Sequence, residues 1–310
     1  MDADLIVQIL FAAIKTGTPL LFIALGEVIC EKSGILNLGQ EGMMLMGAVV
    51  GFLAAYGTGN AGLGVIAAMA MGAIMSLIFA VLVLQLGANQ VATGLALTIF
   101  GTGLSAFVGS GVVGQTIQGF QPVMIPLLSD IPLIGRILFS HDILVYLSFV
   151  MAFILFFVIN KTRMGLTLKA VGENPHAANA IGIKVLRVRY LAIMFGGAMA
   201  GISGAYMSLV YTPMWVENMT AGRGWIALAL VVFASWRVGR IVIGAYLFGV
   251  ASIMHLVLQG MGWSISPNLL AMLPYVATVI VMVIISADHF KEKLLAPRSL
   301  GKTFDPREMA

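Results

Sequence analysis

A cluster of polar side chains interrupts an otherwise apolar sequence near the N-terminus. The segment GILNLGQEGMMLMGA, residues 34–48, contains Asn37, Gln40 and Glu41. Amide and carboxylate groups can hydrogen-bond a polar solute crossing a membrane. They can also brace one helix against another, because intramembrane polar groups face the protein interior, a cavity or each other. The sequence leaves both interpretations open, a substrate pathway and an internal brace.

The backbone that positions these residues is predicted to be bent or broken. Asn37 and Glu41 are four residues apart, so a continuous helix would place them on one face. Glu27 and Glu31 have the same spacing. A continuous helix is disfavoured here by three glycines, Gly34, Gly39 and Gly42. We therefore expect an interrupted element close to one surface of the membrane.

Asn89 and Trp225 are two more candidates for a pathway, although a Trp at a membrane surface is more often an anchor.

The sequence lacks the residue patterns of metal, nucleotide and catalytic sites. The chain has one cysteine, Cys30, and no His-Glu-x-x-His pair, so we expect no metal site. In GSGVVGQT, residues 109–116, Gln115 stands where a phosphate-binding loop requires Lys. We expect no catalytic residues and no cofactor bound by this chain.

Composition predicts an all-α, polytopic membrane protein. Charged residues make up 10% of the 310 positions and hydrophobic residues 60%, whereas ordinary globular domains have about 25% charged residues. Apolar runs long enough to cross a bilayer recur, clear examples being Val65–Leu86, Ile143–Ile159, Tyr190–Val210 and Leu269–Ser286. We expect about nine spans, within a range of roughly eight to ten. Trp225–Trp236 is too short for a straight crossing, which indicates a re-entrant or protein-enclosed helix.

The distribution of basic residues predicts the topology. Eleven of the 17 Lys and Arg lie in Lys161–Arg189 or after Ala287, and basic residues beside spans mark the cytoplasmic side. This bias accounts for the net positive charge without nucleic acid as a partner. We predict a single transmembrane domain, 1–310, with a cytoplasmic loop at 161–189, a cytoplasmic tail at 288–310 and an outward-facing segment Gly111–Asp142.

The segment GENPHAANAIG, residues 172–182, predicts a short helix outside the bilayer. Asn174 suits the N-cap, Pro175 suits the first helical position, and Gly182 suits a left-handed C-terminal cap. The Ala-rich surface between them is small and smooth, which favours docking against another molecule. An ordinary connector between two spans is the alternative.

This loop resembles the conserved cytoplasmic loop of ABC importer permeases, in the branch that includes branched-chain amino acid, simple sugar and nucleoside permeases. Asn89–Leu104 is also similar to a segment of that family. Gly26–Ala48, with its Ser-Gly-x-Leu-Asn-x-Gly pattern, and Arg223–Trp236 are most similar to the nucleoside type. Gln40 departs from the pattern, because the family more often has an apolar residue there.

The resemblance implies a non-catalytic subunit of the cell (inner or plasma) membrane that forms half of a translocation path with a second permease of the same or a sister type. It implies ATP-binding subunits, which hold ATP and Mg²⁺, and an external substrate-binding lipoprotein. The implied substrates are nucleosides, with simple sugars next and branched-chain amino acids third. The implied coupling residues are Gly172, Glu173, Asn174, Pro175, His176, Ala177, Ala178 and Gly182.

Two other classes of protein are alternatives. A gradient-driven secondary transporter would need an acidic residue deep in a span, for which Glu41 is the main candidate. A polytopic membrane enzyme would need a cluster of His, Asp or Ser at one membrane face, and the sequence indicates none.

Overall fold

The computed structural model describes residues 3–124, 126, 128–129, 131, 134–260, 269, 272, 276, 279, 283 and 296–304. Eleven α-helices lie within these residues: α1 Ala3–Lys32, α2 Gln40–Thr58, α3 Ala61–Leu84, α4 Gln90–Gly109, α5 Ile134–Leu138, α6 Ile143–Lys161, α7 Arg163–Glu173, α8 Pro175–Ala180, α9 Val185–Tyr206, α10 Arg223–Phe233 and α11 Val238–Gly260. A 3₁₀ turn, Ser110–Val112, follows α4, and a π-helical turn, Met207–Tyr211, extends α9.

The described helices form a polytopic bundle, which confirms the predicted fold class. Seven of them are long and apolar enough to cross a membrane, namely α1, α2, α3, α4, α6, α9 and α11. The eleven-residue helix α10 confirms the short element expected at Trp225–Trp236. Leu269–Ser286 lies almost entirely outside the described residues, so the total of about nine spans stays a prediction.

Three helices form the centre of the bundle. The most apolar window is 83% buried in α9 and 67% buried in both α1 and α2, against 25–33% in α3, α4, α6 and α11. The outer helices therefore present most of their apolar surface outward, as expected of helices that face hydrocarbon. The polar cluster predicted from the sequence lies where two of the three central helices, α1 and α2, are joined.

Small residues allow the central helices to approach closely. A Cβ atom added to Gly47 of α2 would lie 2.5 Å from the Cα of Gly201 in α9. A Cβ on Gly201 would in turn lie 2.1 Å from the carbonyl oxygen of Ala68 in α3. Neither site has room for a side chain, so these glycines allow the helix backbones to pack closely.

Candidate functional site

The short helix predicted at residues 172–182 is present as α8. Asn174 Oδ1 accepts a hydrogen bond from the backbone N–H of Ala177 at 3.0 Å, and Pro175 occupies the first turn. Gly182 follows the helix with φ +87°, a conformation that favours glycine. The capped helix is thus confirmed, and its role in coupling stays a prediction. The helix α7 just before it was not anticipated from the sequence.

One face of α8 packs on this chain and the opposite face is exposed. Pro175 and Ala178 are buried, and Ala178 packs with a small apolar cluster of Val171, Val185 and Phe304. The outward side chains are Ala177, Ala180 and Ile181, the last of which is 77% exposed. These three are spaced as one helical face. An exposed apolar face on a loop is typical of a surface that meets a partner.

The α1–α2 junction contains the buried polar cluster. Glu27 of α1 accepts the backbone N–H of Asn37 at 3.3 Å and the side-chain amide of Gln40. Asn37 lies in the connection between the helices, where its Oδ1 accepts the N–H of Gly39 at 2.9 Å. The predicted break is therefore confirmed. Asn37 and Glu41 accordingly do not share a helical face, because Asn37 folds back on the first turn of α2.

Glu41 holds the N-terminus of α10. Its carboxylate accepts the backbone N–H of Gly222 at 2.9 Å, that of Gly224 at 2.6 Å, and the hydroxyl of Thr220. Gly222 has no side chain with which to cap the helix, so a residue more than 180 positions away in sequence supplies the cap. The carboxylate also lies at the positive end of the α10 dipole, which stabilises it further.

The other end of α10 is held by the same junction. Trp236 donates its indole N–H to the carboxylate of Glu31. Ser235 and Trp236 follow the helix in the left-handed region, with φ 50° and 56°. Such a backbone is sparsely populated by residues other than glycine and persists when its surroundings fix it. Glu41 and Glu31 therefore clamp α10 at both ends, which favours the brace interpretation for these acids.

Comparison with known proteins identifies the family. Residues 9–285 match the family described as "Branched-chain amino acid transport system / permease component". The chain belongs to this family. It is an ABC transporter permease, and the alternatives of a secondary transporter or a membrane enzyme are superseded.

Several relatives cover most of this permease. A putative glucose ABC transporter permease protein of Haloferax volcanii is 42% identical over 84% of the chain and 80% of its own length. A guanosine ABC transporter permease protein of Bacillus subtilis is 33% identical over 91% and 93%. A nucleoside ABC transporter permease protein of Lactococcus lactis is 31% identical over 93% of both. No solved structure matches the chain.

The two remaining pathway candidates, Asn89 and Trp225, have exposed side chains. Asn89 is exposed and caps α4 by accepting the N–H of Ala92 at 3.0 Å. Trp225, on α10, is 37% exposed. Their roles in a pathway stay predictions. Among the described residues of the permease, no group of three or more His, Cys, Asp or Glu could hold a metal ion.

The segment 296–304 of the permease packs across the loop at 161–189, a contact that the sequence did not predict. Ser299 donates both its N–H and its hydroxyl to the carbonyl of Gly172, at 3.0 and 2.6 Å. Gly301 donates its N–H to the carbonyl of Gly34 at 3.2 Å. The ring of Phe304 packs edge-on against His176, with centroids 5.0 Å apart. The segment thus ties the loop to the α1–α2 junction.

Arg189 is the second residue that the sequence did not single out. It is 1% exposed and donates to the carbonyl of Ser33 at 3.1 Å and to the Ser299 hydroxyl at 3.3 Å. Its guanidinium also lies 5.6 Å from the centre of the Phe304 ring. From the sequence Arg189 is one of many basic residues that mark topology. Only the structure reveals that it joins α9 to both the junction and segment 296–304.

Proposed function

We propose that this permease forms half of the translocation path of an ATP-driven importer, with a second permease of the same or a sister type as the other half. ATP-binding subunits, which hold ATP and Mg²⁺, dock on the loop at 161–189. An external lipoprotein delivers the substrate. The chain itself performs no covalent chemistry. ATP on one side and loaded binding protein on the other bias two global states of the path, as alternating access requires.

The exposed apolar face of α8 is the observation that carries this proposal. Ala177, Ala180 and Ile181 face outward, while buried Pro175 and Ala178 fix the helix on the permease. A helix anchored on one side can transmit a displacement of its partner to α7 and α9, because packed elements move as units. Reconstituted permease should take up substrate only with an ATP-binding subunit and ATP. Uptake driven by an ion gradient alone would contradict the proposal.

The proposed orientation places the loop at 161–189 and the tail at 288–310 in the cytoplasm, with Gly111–Asp142 outside. Its support is the concentration of Lys and Arg at the first two segments. Single cysteines at Lys169 and Ser129, in a Cys30→Ala background, should react with impermeant reagents from opposite sides of the membrane. Labelling of both from outside would reverse the assignment.

The proposed substrates are nucleosides. Support comes from the guanosine and nucleoside permeases of Bacillus subtilis and Lactococcus lactis, which align over more than nine-tenths of the chain. Simple sugars are the second candidate, because the relative at 42% identity is named for glucose. Uptake of labelled guanosine by the assembled transporter should be suppressed by unlabelled nucleosides and not by glucose or leucine. Uptake of labelled glucose with no uptake of guanosine would establish the sugar alternative.

A further inference from the structure

A cavity of about 570 Å³ lies where four parts of the fold meet, beside the loop at 161–189, the proposed coupling loop. The end of α1, the last turns of α6, the helix α7 and the connection from α10 to α11 form its walls. The lining residues are Lys32, Phe156, Ile159, Asn160, Lys169, Glu173, Trp236, Arg237, Val238 and Gly239. A molecule in this cavity would contact both the membrane-spanning helices and the loop.

The charges that line the cavity favour the binding of an anion. Lys32, Lys169 and Arg237 line it, and Glu173 is the one acid in the lining. The carboxylate of Glu173 is 3.7 Å from Arg298 Nε and is therefore shared with that cation. Lys32 is only 7% exposed, and among the described residues its ammonium group has no hydrogen bond or ion pair. A buried cation is costly, and Glu173, the one acid beside Lys32, is shared with Arg298. The two further cations nearby raise the cost.

The wall formed by α6 is mainly apolar, so a ligand that fills the cavity should also have an apolar part. Phe156 lines the cavity and is 49% exposed. Phe153 and Phe157, on the same face of the helix, are 71% and 54% exposed. Because α6 is one of the helices long and apolar enough to span the membrane, this face borders hydrocarbon. The cavity therefore joins a cationic pocket to a lipid-facing aromatic surface.

We propose that the cavity binds the phosphate headgroup of an anionic phospholipid, with an acyl chain along Phe153, Phe156 and Phe157. Lys169 and Arg237 hold the phosphate, and Lys32 supplies the buried charge beneath it. Basic pockets between spanning helices are suited to such headgroups. The lipid belongs to the leaflet on the side of the coupling loop. This site is separate from substrate import, since its ligand is a component of the membrane.

The test compares lipid retention by purified, full-length permease. The permease is reconstituted in phosphatidylcholine vesicles with or without phosphatidylglycerol, extracted, and examined by native mass spectrometry. Wild type should retain phosphatidylglycerol. The double variant Lys169→Gln/Arg237→Gln should bind it roughly 30-fold more weakly, from the attraction that each basic residue contributes. Thermal unfolding checks that the double variant is folded, which is expected because Lys169 is half-buried and Arg237 is exposed.

A charge-matched control is Lys184→Gln/Arg187→Gln, since both residues are exposed on the same loop and do not line the cavity. This control should retain the lipid as wild type does. Equal retention by all three proteins would overturn the proposal. So would displacement of the bound lipid by inorganic phosphate, because the cavity would then be a site for a soluble anion. Normal lipid retention with loss of the ATP-binding subunit from the Lys169→Gln/Arg237→Gln variant would assign the cations to a protein partner instead.

Discussion

At the α1–α2 junction buried polar groups are mostly bonded within the chain, whereas in the proposed coupling loop, residues 161–189, apolar groups are exposed. Glu27, Gln40 and Glu41 are at most 5% exposed and accept or donate hydrogen bonds to α2, α10 and the connection between α1 and α2. Ile181 is 77% exposed. Burying a polar group is costly unless it is hydrogen-bonded. Exposing an apolar surface to water is costly unless a partner covers it. Most polar atoms of the junction are compensated internally, although Gln40 Oε1 and Glu31 Oε1 have no hydrogen-bond partner among the described residues. The exposed face of the loop would be compensated by the proposed docking of another subunit.

The largest effect is expected when the hydrogen bonds that Glu41 accepts are removed. Glu41→Ala strands the N–H groups of Gly222 and Gly224 and the hydroxyl of Thr220. A buried donor left without an acceptor costs about 1–3 kcal/mol, so the free energy of unfolding should fall by several kcal/mol. Thermal unfolding of the purified permease measures this loss.

Two variants give the Glu41 experiment its controls. Glu41→Gln keeps one carbonyl acceptor and should be intermediate. Glu217→Ala removes an exposed acid and should be neutral. If Glu41→Ala proved as stable as wild type but failed to transport, the pathway interpretation of Glu41 would replace the brace.

The next largest effect is expected at Ala177, on the face of α8 where we propose that the ATP-binding subunit docks. Ala177→Arg places a large charged side chain on the exposed face of α8, and overpacking of an interface costs about 1–3 kcal/mol. Association with the ATP-binding subunit should weaken roughly 10–100-fold, while thermal unfolding of the permease stays unchanged. Pull-down and reconstituted uptake are the measurements. Ala61→Arg, the same change in the first turn of α3, should leave association intact. Normal uptake by Ala177→Arg would reduce the loop to a plain connector.

The two regions also differ in how far the sequence predicted them. At α8 the signals are local, because Asn174, Pro175 and Gly182 specify their own capped helix, and all three were assigned correctly. At the junction the polar residues and the break were evident, but the partner of Glu41 lies more than 180 residues away. No periodicity indicates such a contact. Arg189 and Ser299 were missed for the same reason, since their bonds depend on how separate elements pack.

Segment 296–304 connects the two regions, and loosening it should have a smaller effect. Ser299→Ala removes the side-chain hydrogen bonds to Gly172 and Arg189 but keeps the backbone bond. At about 0.5–1.5 kcal/mol for each bond, the segment should open more often without global unfolding. Hydrogen exchange should quicken at 296–304 and in α7. Thr303→Ala changes an exposed neighbour and serves as the control. Faster exchange in α10 alone would show that the segment does not join loop and junction.

The smallest expected effect distinguishes the stability of helix α8 from the contacts that its side chains make. Asn174→Ala removes the N-cap of α8 while leaving Ala177, Ala180 and Ile181 in place. Loss of an N-cap costs about 1 kcal/mol, so α8 should form less often and ATP-driven uptake should fall no more than about fivefold. Asn174→Ser restores a capping oxygen and should recover most of the uptake. A loss of uptake as complete as that of Ala177→Arg, with no recovery in Asn174→Ser, would mean that the Asn174 side chain itself binds the partner. The docking surface would then extend from the exposed face of α8 onto its N-terminus.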